Sequence, residues 1–369
     1  MSERGPSTRA IHAGLPDPVQ GEPILPGPVF AAPYHLRGPA DAAPYGYGRD
    51  QNPTWTHLEH AIGELDGGES VVFSSGMAAV TAVIAPRLRP GDVLVAPRDG
   101  YPGIRKLSAE QLVPGGIEVR LVPTDTDAIV AASEGAKIVW VETPSNPKLD
   151  ECDLDAVIAA AHAHGALVGV DNTVATPLGR RPLDHGADFA MVSGTKSLTG
   201  HSDLLMGAVS VRDEALAVEL RAWRSHTGAL LGPFEAWLAH RSLATLGLRL
   251  ERSQVNARAV AEALADRDDV SDVRWPGVGP LVALTLSSIE HVERFLDACT
   301  LVTQATSFGG VHSMAERRGR WGTDEVPDGF IRFSAGCEDT ADLVTDVLVA
   351  LDATAGHARA TARGEPRTR

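Results

Sequence analysis

The sequence predicts an α/β protein with a mostly parallel central sheet covered by helices, a smaller C-terminal α+β domain and an extended N-terminal arm. Three observations carry this expectation. Short apolar runs alternate with amphipathic stretches from residue 56 to about 250. Continuous apolar strands separated by helices belong in a sheet buried on both faces. The rhythm then changes through 251–353, and the first 55 residues are rich in proline and glycine without sustained periodicity.

The elements follow in order. The arm, "GLPDPVQGEPILPGPVF" and "RGPADAAPYGYGRDQNP", is irregular, but Phe30, Tyr34, Tyr45 and Tyr47 give it apolar groups to bury. "TWTHLEHAIGELDGG" reads as a helix ended by glycine. "SVVF" is a strand, "SGMAAVTAVIAPRL" opens a helix, and "DVLVAP", "IEVRLVP" and "AKIVWVE" are strands. "DLDAVIAAAHAHG" is a helix, followed by strands at "ALVGVDN", "DFAMVSG" and "GAVSV". One long helical region spans Gly232 to Asp266. In the second domain, "LVALTLSS", "LVTQATS" and "FIRFSAG" are strand-like, while "IEHVERFLDAC" and "EDTADLVTDVLVALDA" are helical. Residues 354–369 read as a disordered, solvated tail.

Composition narrows the function. The chain has 369 residues, 43% of them hydrophobic and 22% charged, as in an ordinary globular protein of more than one domain. Its 33 basic and 48 acidic side chains give a net charge of −15, which argues against nucleic acid or an anionic membrane as partner. No apolar stretch reaches membrane length, and "MSERGPSTRAIHAG" lacks a signal-peptide core. Cys152, Cys299 and Cys337 are sparse and form no CxxC pair, which suits free thiols in a cytoplasm. His162 and His164 lie at i and i+2, diverge on a helix and read as surface residues, so no metal is expected.

The chain holds four lysines against 29 arginines, and one of them, Lys196, stands in "SGTKSLTGHSD" among small polar residues. An ammonium can lose its proton and become a nucleophile, whereas a guanidinium effectively cannot. The other three, Lys106, Lys137 and Lys148, read as exposed. Parallel sheets bind ligands beyond the carboxyl ends of their strands. There this sequence places "SSGM", "ETPSNP", "DNT" and "SGTK", polar and small where a core would want bulk. "GTKS" is not a nucleotide P-loop, because no glycine stands at the required spacing. A nucleophilic amine, an aspartate, small hydroxyls and a glycine-opened helix together describe a site for pyridoxal 5′-phosphate. The amine condenses with the aldehyde, the aspartate keeps the ring nitrogen protonated, and the helix N-terminus binds phosphate.

From "TRAIHAG" to "LVTDVLVALD", and most specifically in "VDNTVATPLGRRPLDHGADFAMVSGTKSLTGHSD", the chain resembles the pyridoxal-phosphate enzymes of cysteine and methionine metabolism, the cystathionine γ-lyase and γ-synthase group. The resemblance implies the pyridoxal-phosphate transferase fold type I, with 56–250 as the cofactor-binding domain. It makes Lys196 the lysine that carries the cofactor and later moves protons. It assigns Asp171 to the pyridine nitrogen, Asn146 to the ring oxygen and to substrate, and Tyr101 to ring stacking and proton transfer. Gly76, Met77, Ser193 and Thr195 would hold the phosphate. Tyr47 and Arg49 of "YGR" would reach a neighbouring subunit's phosphate site, so arm 1–55 implies a homo-oligomer, a dimer of active-site-sharing dimers. Arg332 and Ser307 match the site for the carboxylate of a small amino-acid substrate, which an arginine fork suits.

The chain departs from the family pattern in three places. Only "VGPLVA" lies between "WPG" and "LTL", His312 stands where many members carry an acid, and Gly103 stands where methionine γ-lyases typically have cysteine. The expected reaction is α,γ-elimination on an amino acid with a γ-sulfur leaving group, foremost that of a cystathionine γ-lyase. The alternatives are a γ-replacement transferase (cystathionine γ-synthase or homoserine-ester sulfhydrylase), a methionine γ-lyase or a specialised-metabolism C–S lyase. A non-catalytic cofactor-binding regulator is the reading from another class. The presence of Lys196, Asp171, Tyr101 and Arg332 argues against it. "AERRGRWGTDE" and the Arg180–Arg181 pair are expected to be solvated.

Overall fold

The computed structural model describes residues 4–361, the side chains of Ala40 and 355–361 excepted. Two units result. One holds the chain up to Asn146 together with Asp150–Leu248, the other Pro147–Leu149 and the chain from Arg249 onward. The sequence reading drew its boundary after residue 250.

The first unit carries a seven-stranded sheet. Its strands are β1 (Glu69–Phe73), β2 (Val93–Pro97), β3 (Glu118–Val122), β4 (Ile138–Glu142), β5 (Leu167–Asp171), β6 (Phe189–Val192) and β7 (Gly207–Val211). Their spatial order is β1-β7-β6-β5-β4-β2-β3. β7 runs antiparallel to both neighbours, and the remaining pairs are parallel. The helices are α1 (Pro6–His12), α2 (Pro53–Asp66), α3 (Gly76–Ile84), α4 (Pro102–Leu107), α5 (Thr126–Ala132), α6 (Leu154–Ala163), α7 (Thr176–Gly179), α8 (Glu214–Thr227), α9 (Pro233–Leu243) and α10 (Leu246–Leu264), the last crossing the boundary.

The unbroken apolar strands are explained by burial on both sides. Ile138 and Trp140 of β4 join Phe73, Leu94 and Phe189 in one core, while Val139 and Val141 join Val95, Val168 and Val170 in another. Alternate side chains of a strand point to opposite faces, so both sets must be apolar. The helices start where short polar side chains cap them. Asn52 accepts from the Thr54 amide, Ser75 from Ala78 and Asp153 from Ala156. Gly67 closes α2 at φ 80°, a left-handed conformation that favours glycine. The arm is less irregular than its composition suggests: α1 buries Ala10, which with Ala13 packs against Trp55, Leu58 and Ala61.

The second unit has a five-stranded sheet in the order β10-β11-β12-β9-β8. These strands are β8 (Ser271–Arg274), β9 (Leu281–Thr285), β10 (Thr303–Gln304), β11 (Met314–Arg317) and β12 (Phe330–Ser334). α11 (Ile289–Ala298) and α12 (Thr340–Thr361) supply Phe295, Leu343 and Val347 to a core shared with Val282, Leu284, Ile331 and Phe333.

Several expectations need correction. The helical region Gly232–Asp266 is two helices, interrupted at Ala244 and Thr245. In "LVTQATS" only Thr303 and Gln304 pair as strand. "AERRGRWGTDE" is not a solvated loop, since β11 runs through its start and Glu316 and Arg318 are buried. Nor is Arg180–Arg181 a solvated turn: Arg180 donates to the Thr143 carbonyl and to Glu151, and Arg181 pairs with Asp184. Lys106 and Lys137 are exposed, but Lys148 is half-buried. Of the expected tail, 354–361 continues α12 as helix, and the rest lies outside the described residues.

Candidate active site

The carboxyl ends of β4, β5 and β6 deliver Asn146, Asp171 and Ser193, and the turn that follows β6 delivers Thr195 and Lys196. That turn is tight. The Lys196 amide donates to Ser193 O at 3.1 Å, and the Gly200 amide to Lys196 O at 2.9 Å. Lys196 is half-buried, and its charge acts on Asp171.

Asp171 Oδ1 accepts from the Thr173 amide at 3.0 Å and the Thr173 hydroxyl at 2.5 Å. Both bonds fall on one oxygen, so Oδ2 is the one suited to a ring N–H. Burial pushes Asp171 above the ordinary aspartate range, while Thr173 and Lys196 pull it back.

At the start of α3, Ser75 Oγ caps the Ala78 amide, and the Ala79 amide bonds Ser75 O. This leaves the amides of Gly76 and Met77 directed out of the first turn. Gly76 is a close-approach glycine, for a Cβ there would lie 2.8 Å from Ser193 Oγ and 2.9 Å from its Cβ. The phosphate candidates Gly76 and Ser193 are thus brought together. Thr195 is committed differently: its hydroxyl donates to Met206 O at 3.2 Å and accepts from the Met206 amide at 3.0 Å. A phosphate contact from this hydroxyl requires it to turn from Met206 O.

Tyr101 precedes α4 and is 44% exposed. Its ring and the Met77 thioether crowd Gly103, where a Cβ would meet Tyr101 Cε1 at 2.5 Å and Met77 Sδ at 2.6 Å. Asn146 is buried. Sequence reasoning missed two residues that organise this end of the sheet. Thr173 orients Asp171 and also accepts the Ser193 amide at 2.8 Å. Glu142, the last residue of β4, accepts the amides of Tyr101 and Asn146 at 2.7 Å each. Burial first, and the neighbouring Asp171 next, push Glu142 up to about 8. The available signal was a carboxylate closing the apolar run "IVWVE".

Tyr47 and Arg49 keep other company. Arg49 donates to the Ser225 carbonyl and hydroxyl on α8 at 3.4 and 3.3 Å, and its guanidinium lies over the Tyr47 ring at 5.6 Å. A cavity of about 430 Å³, lined among others by Trp55, Glu59, Arg221 and Arg224, contains none of the candidate residues. Chemistry rather than concavity picks out the candidate site.

In the second unit Arg332 is 4% exposed. Its Nη2 donates to Ser307 O at 2.9 Å and to Glu316 Oε1 at 2.5 Å, and it lies over the Phe308 ring. The β11–β12 register puts Glu316 opposite Arg332. Glu316 also accepts from Arg318 and Trp321. Burial opposes its ionisation, but Arg332, Trp321 and Arg318 together hold it below the ordinary glutamate range. Ser307 has φ 83°, a strained conformation for a residue with a Cβ.

Burial pushes the Cys152 thiol up to about 11 and the Cys299 thiol up to about 12, opposite to activation. His162 is exposed and bonds Asp188. Among the described residues no cluster of three or more His, Cys, Asp or Glu could hold a metal ion, and no helix is long and apolar enough to cross a membrane.

This donor set fits pyridoxal phosphate: two outward amides and a hydroxyl beside a glycine cradle, a carboxylate with one oxygen uncommitted, and an amine whose charge reaches that carboxylate. The fold agrees. Cystathionine γ-synthase from Xanthomonas oryzae pv. oryzae, solved with aminoacrylate and cysteine, superposes with a TM-score of 0.89 at 33% identity over 96% of this chain and 100% of that one. The protein is a pyridoxal-phosphate-dependent enzyme of fold type I. Residues 7–352 match the Cys/Met metabolism PLP-dependent enzyme family, and the chain belongs to it. A Streptomyces coelicolor protein named "Putative cystathionine gamma-lyase" is 54% identical, covering 96% of this chain and 95% of its own. Cystathionine γ-synthase of Mycobacterium tuberculosis is 38% identical over 94% and 97%.

Proposed function

We propose that this enzyme cleaves the γ-carbon–sulfur bond of L-cystathionine, with water, to give L-cysteine, 2-oxobutyrate and ammonia. The observation that carries this reading is the 54% identity to the Streptomyces protein named for γ-lyase activity, against 38% to the mycobacterial synthase. Gly103, where methionine γ-lyases typically carry cysteine, points the same way.

Pyridoxal phosphate, when bound, supplies an electron sink for negative charge developing at the substrate Cα. The chain's own residues do the rest. Lys196 would hold the cofactor, and its free amine would take the proton from the substrate Cα and return protons to the substrate. Asp171, held by Thr173, keeps a proton on the ring nitrogen. The amides of Gly76 and Met77 with Ser193 bind phosphate at a helix N-terminus. Tyr101 would stack on the ring and would pass a proton to the departing sulfur. Arg332, set by Glu316 and the Ser307 carbonyl, takes the α-carboxylate. Tyr47 and Arg49 complete the phosphate site of a second copy, which makes the working enzyme a homo-oligomer. The sparse, unpaired cysteines favour a cytoplasmic location.

A γ-replacement reading has support of its own from the synthase relatives, because elimination and replacement diverge only after the shared early proton transfers. Incubation with L-cystathionine, scoring cysteine, 2-oxobutyrate and ammonia, tests the proposal. Absence of 2-oxobutyrate, with cystathionine formed instead from cysteine and an acylated homoserine, rejects it.

A further inference from the structure

We infer that Glu142 is a positioning residue, a buried brace that fixes Tyr101 and Asn146 against the cofactor ring. The inference rests on the assignment of those two residues to the ring.

Three observations lead to it. First, Glu142 is 5% exposed, and each carboxyl oxygen accepts one backbone amide from a different segment. Oε2 takes Tyr101 N, in the segment after β2, and Oε1 takes Asn146 N, in the segment after β4, both at 2.7 Å. β2 and β4 are neighbours in the sheet, so one side chain ties together the loops beyond two adjacent strand ends.

Second, the surroundings work against a carboxylate. The sheet register sets Glu142 opposite Asp171 on β5, and Asp99, just beyond β2, adds further negative charge, while the positive charge of Lys196 acts on Asp171. A buried acid beside another acid is destabilising, and an apolar side chain would close β4 as well. Holding two amides in register is what the carboxyl adds.

Third, the chain makes room for it. Gly100 has no positive φ to demand glycine, yet a Cβ there would lie 2.6 Å from Glu142 Oε2. Gly100 of "DGYPG" is explained by the approach of the brace together with the Pro97 ring, whose Cγ such a Cβ would meet at 2.8 Å.

Glu142→Gln is the test. The amide side chain keeps one acceptor oxygen and turns an NH₂ towards the other backbone amide. Pyridoxal phosphate titrated into the apo-protein should bind about tenfold more weakly. The visible circular dichroism of the bound cofactor should fall as the Tyr101 ring loosens, while the apo melting temperature stays close to wild type. Cofactor affinity within twofold of wild type and an unchanged dichroic band would overturn the inference. Amide hydrogen exchange on wild-type protein keeps the question answerable if the variant does not fold. The Tyr101 amide, on an exposed residue, should be strongly protected, and exchange at the rate of an unstructured peptide refutes the brace. Tyr101→Ala and Asn146→Ala run alongside. If neither alters affinity or dichroism, the underlying assignment is wrong. If both do and Glu142→Gln does not, only the brace fails.

Discussion

Replacing Asp66 by asparagine should stabilise the protein in alkaline solution and do little in acid. Asp66 is 2% exposed at the last position of α2, where the helix's partial negative charge disfavours an anion. Its Oδ2 accepts from Ser210 Oγ at 2.6 Å, a bond that an asparagine oxygen can keep. Burial pushes Asp66 up to about 7 and Asp184 adds to this, against the pull of Ser210 and Arg181. An unfolded aspartate titrates near 3.9, so the gap is about 3 units, or on the order of 4 kcal/mol at most. The folded state holds the proton more tightly, so between about pH 4 and pH 7 it binds more protons than the unfolded chain. Stability therefore falls as pH rises through that window and levels off above it. Asparagine removes the dependence. The expected gain is about 2–4 kcal/mol at pH 8.5 and under about 1 kcal/mol at pH 4.5. For a unit of this size, the alkaline gain corresponds to a melting temperature roughly 5–15 °C higher. Calorimetry of both proteins at the two pH values measures it. A variant no more stable at pH 8.5, or one with the same gain at both, refutes the reasoning.

Three further outcomes follow from the site. Lys196→Ala should abolish borohydride fixation of the chromophore and lower turnover by roughly 10³-fold or more; fixation to another residue would contradict its assignment. Arg332→Lys keeps the charge but loses the fork, so KM for cystathionine should rise about 10- to 100-fold with kcat little changed; steady-state kinetics with KM within twofold of wild type would remove Arg332 from the carboxylate site. Arg49→Ala should weaken cofactor retention about tenfold without altering the melting temperature of the apo-protein, because Arg49 is exposed and its bonds to Ser225 are long. Unchanged affinity by titration argues against a shared phosphate site.

The sheet was legible because β2, β4, β5 and β6 are apolar on both faces, and burial on both sides leaves no other pattern. Asp171 and Lys196 were legible because small polar residues cluster just beyond the ends of such strands, where a core would want bulk. Glu142 and Thr173 were not, because they act on backbone amides brought near only by folding, and a hydrogen bond between distant segments leaves no periodicity. The charged run before Arg332 misled for a related reason. Glu316, Arg318 and Asp324 read as solvated one at a time, and only their mutual pairing allows them to be buried. The break at Ala244–Thr245 carries no proline or glycine to announce it.

The reversal of β7 beside β6 has a mechanical consequence. The span that bears Lys196 leaves the sheet and returns to it at the same end of the strands, as an arch with both feet anchored in hydrogen-bonded strands. Such an arch has little freedom to sway, so any movement of Nζ falls to the four-carbon stem of the side chain. A reagent that reaches the amine would therefore report the motion of one flexible side chain on a stationary mount.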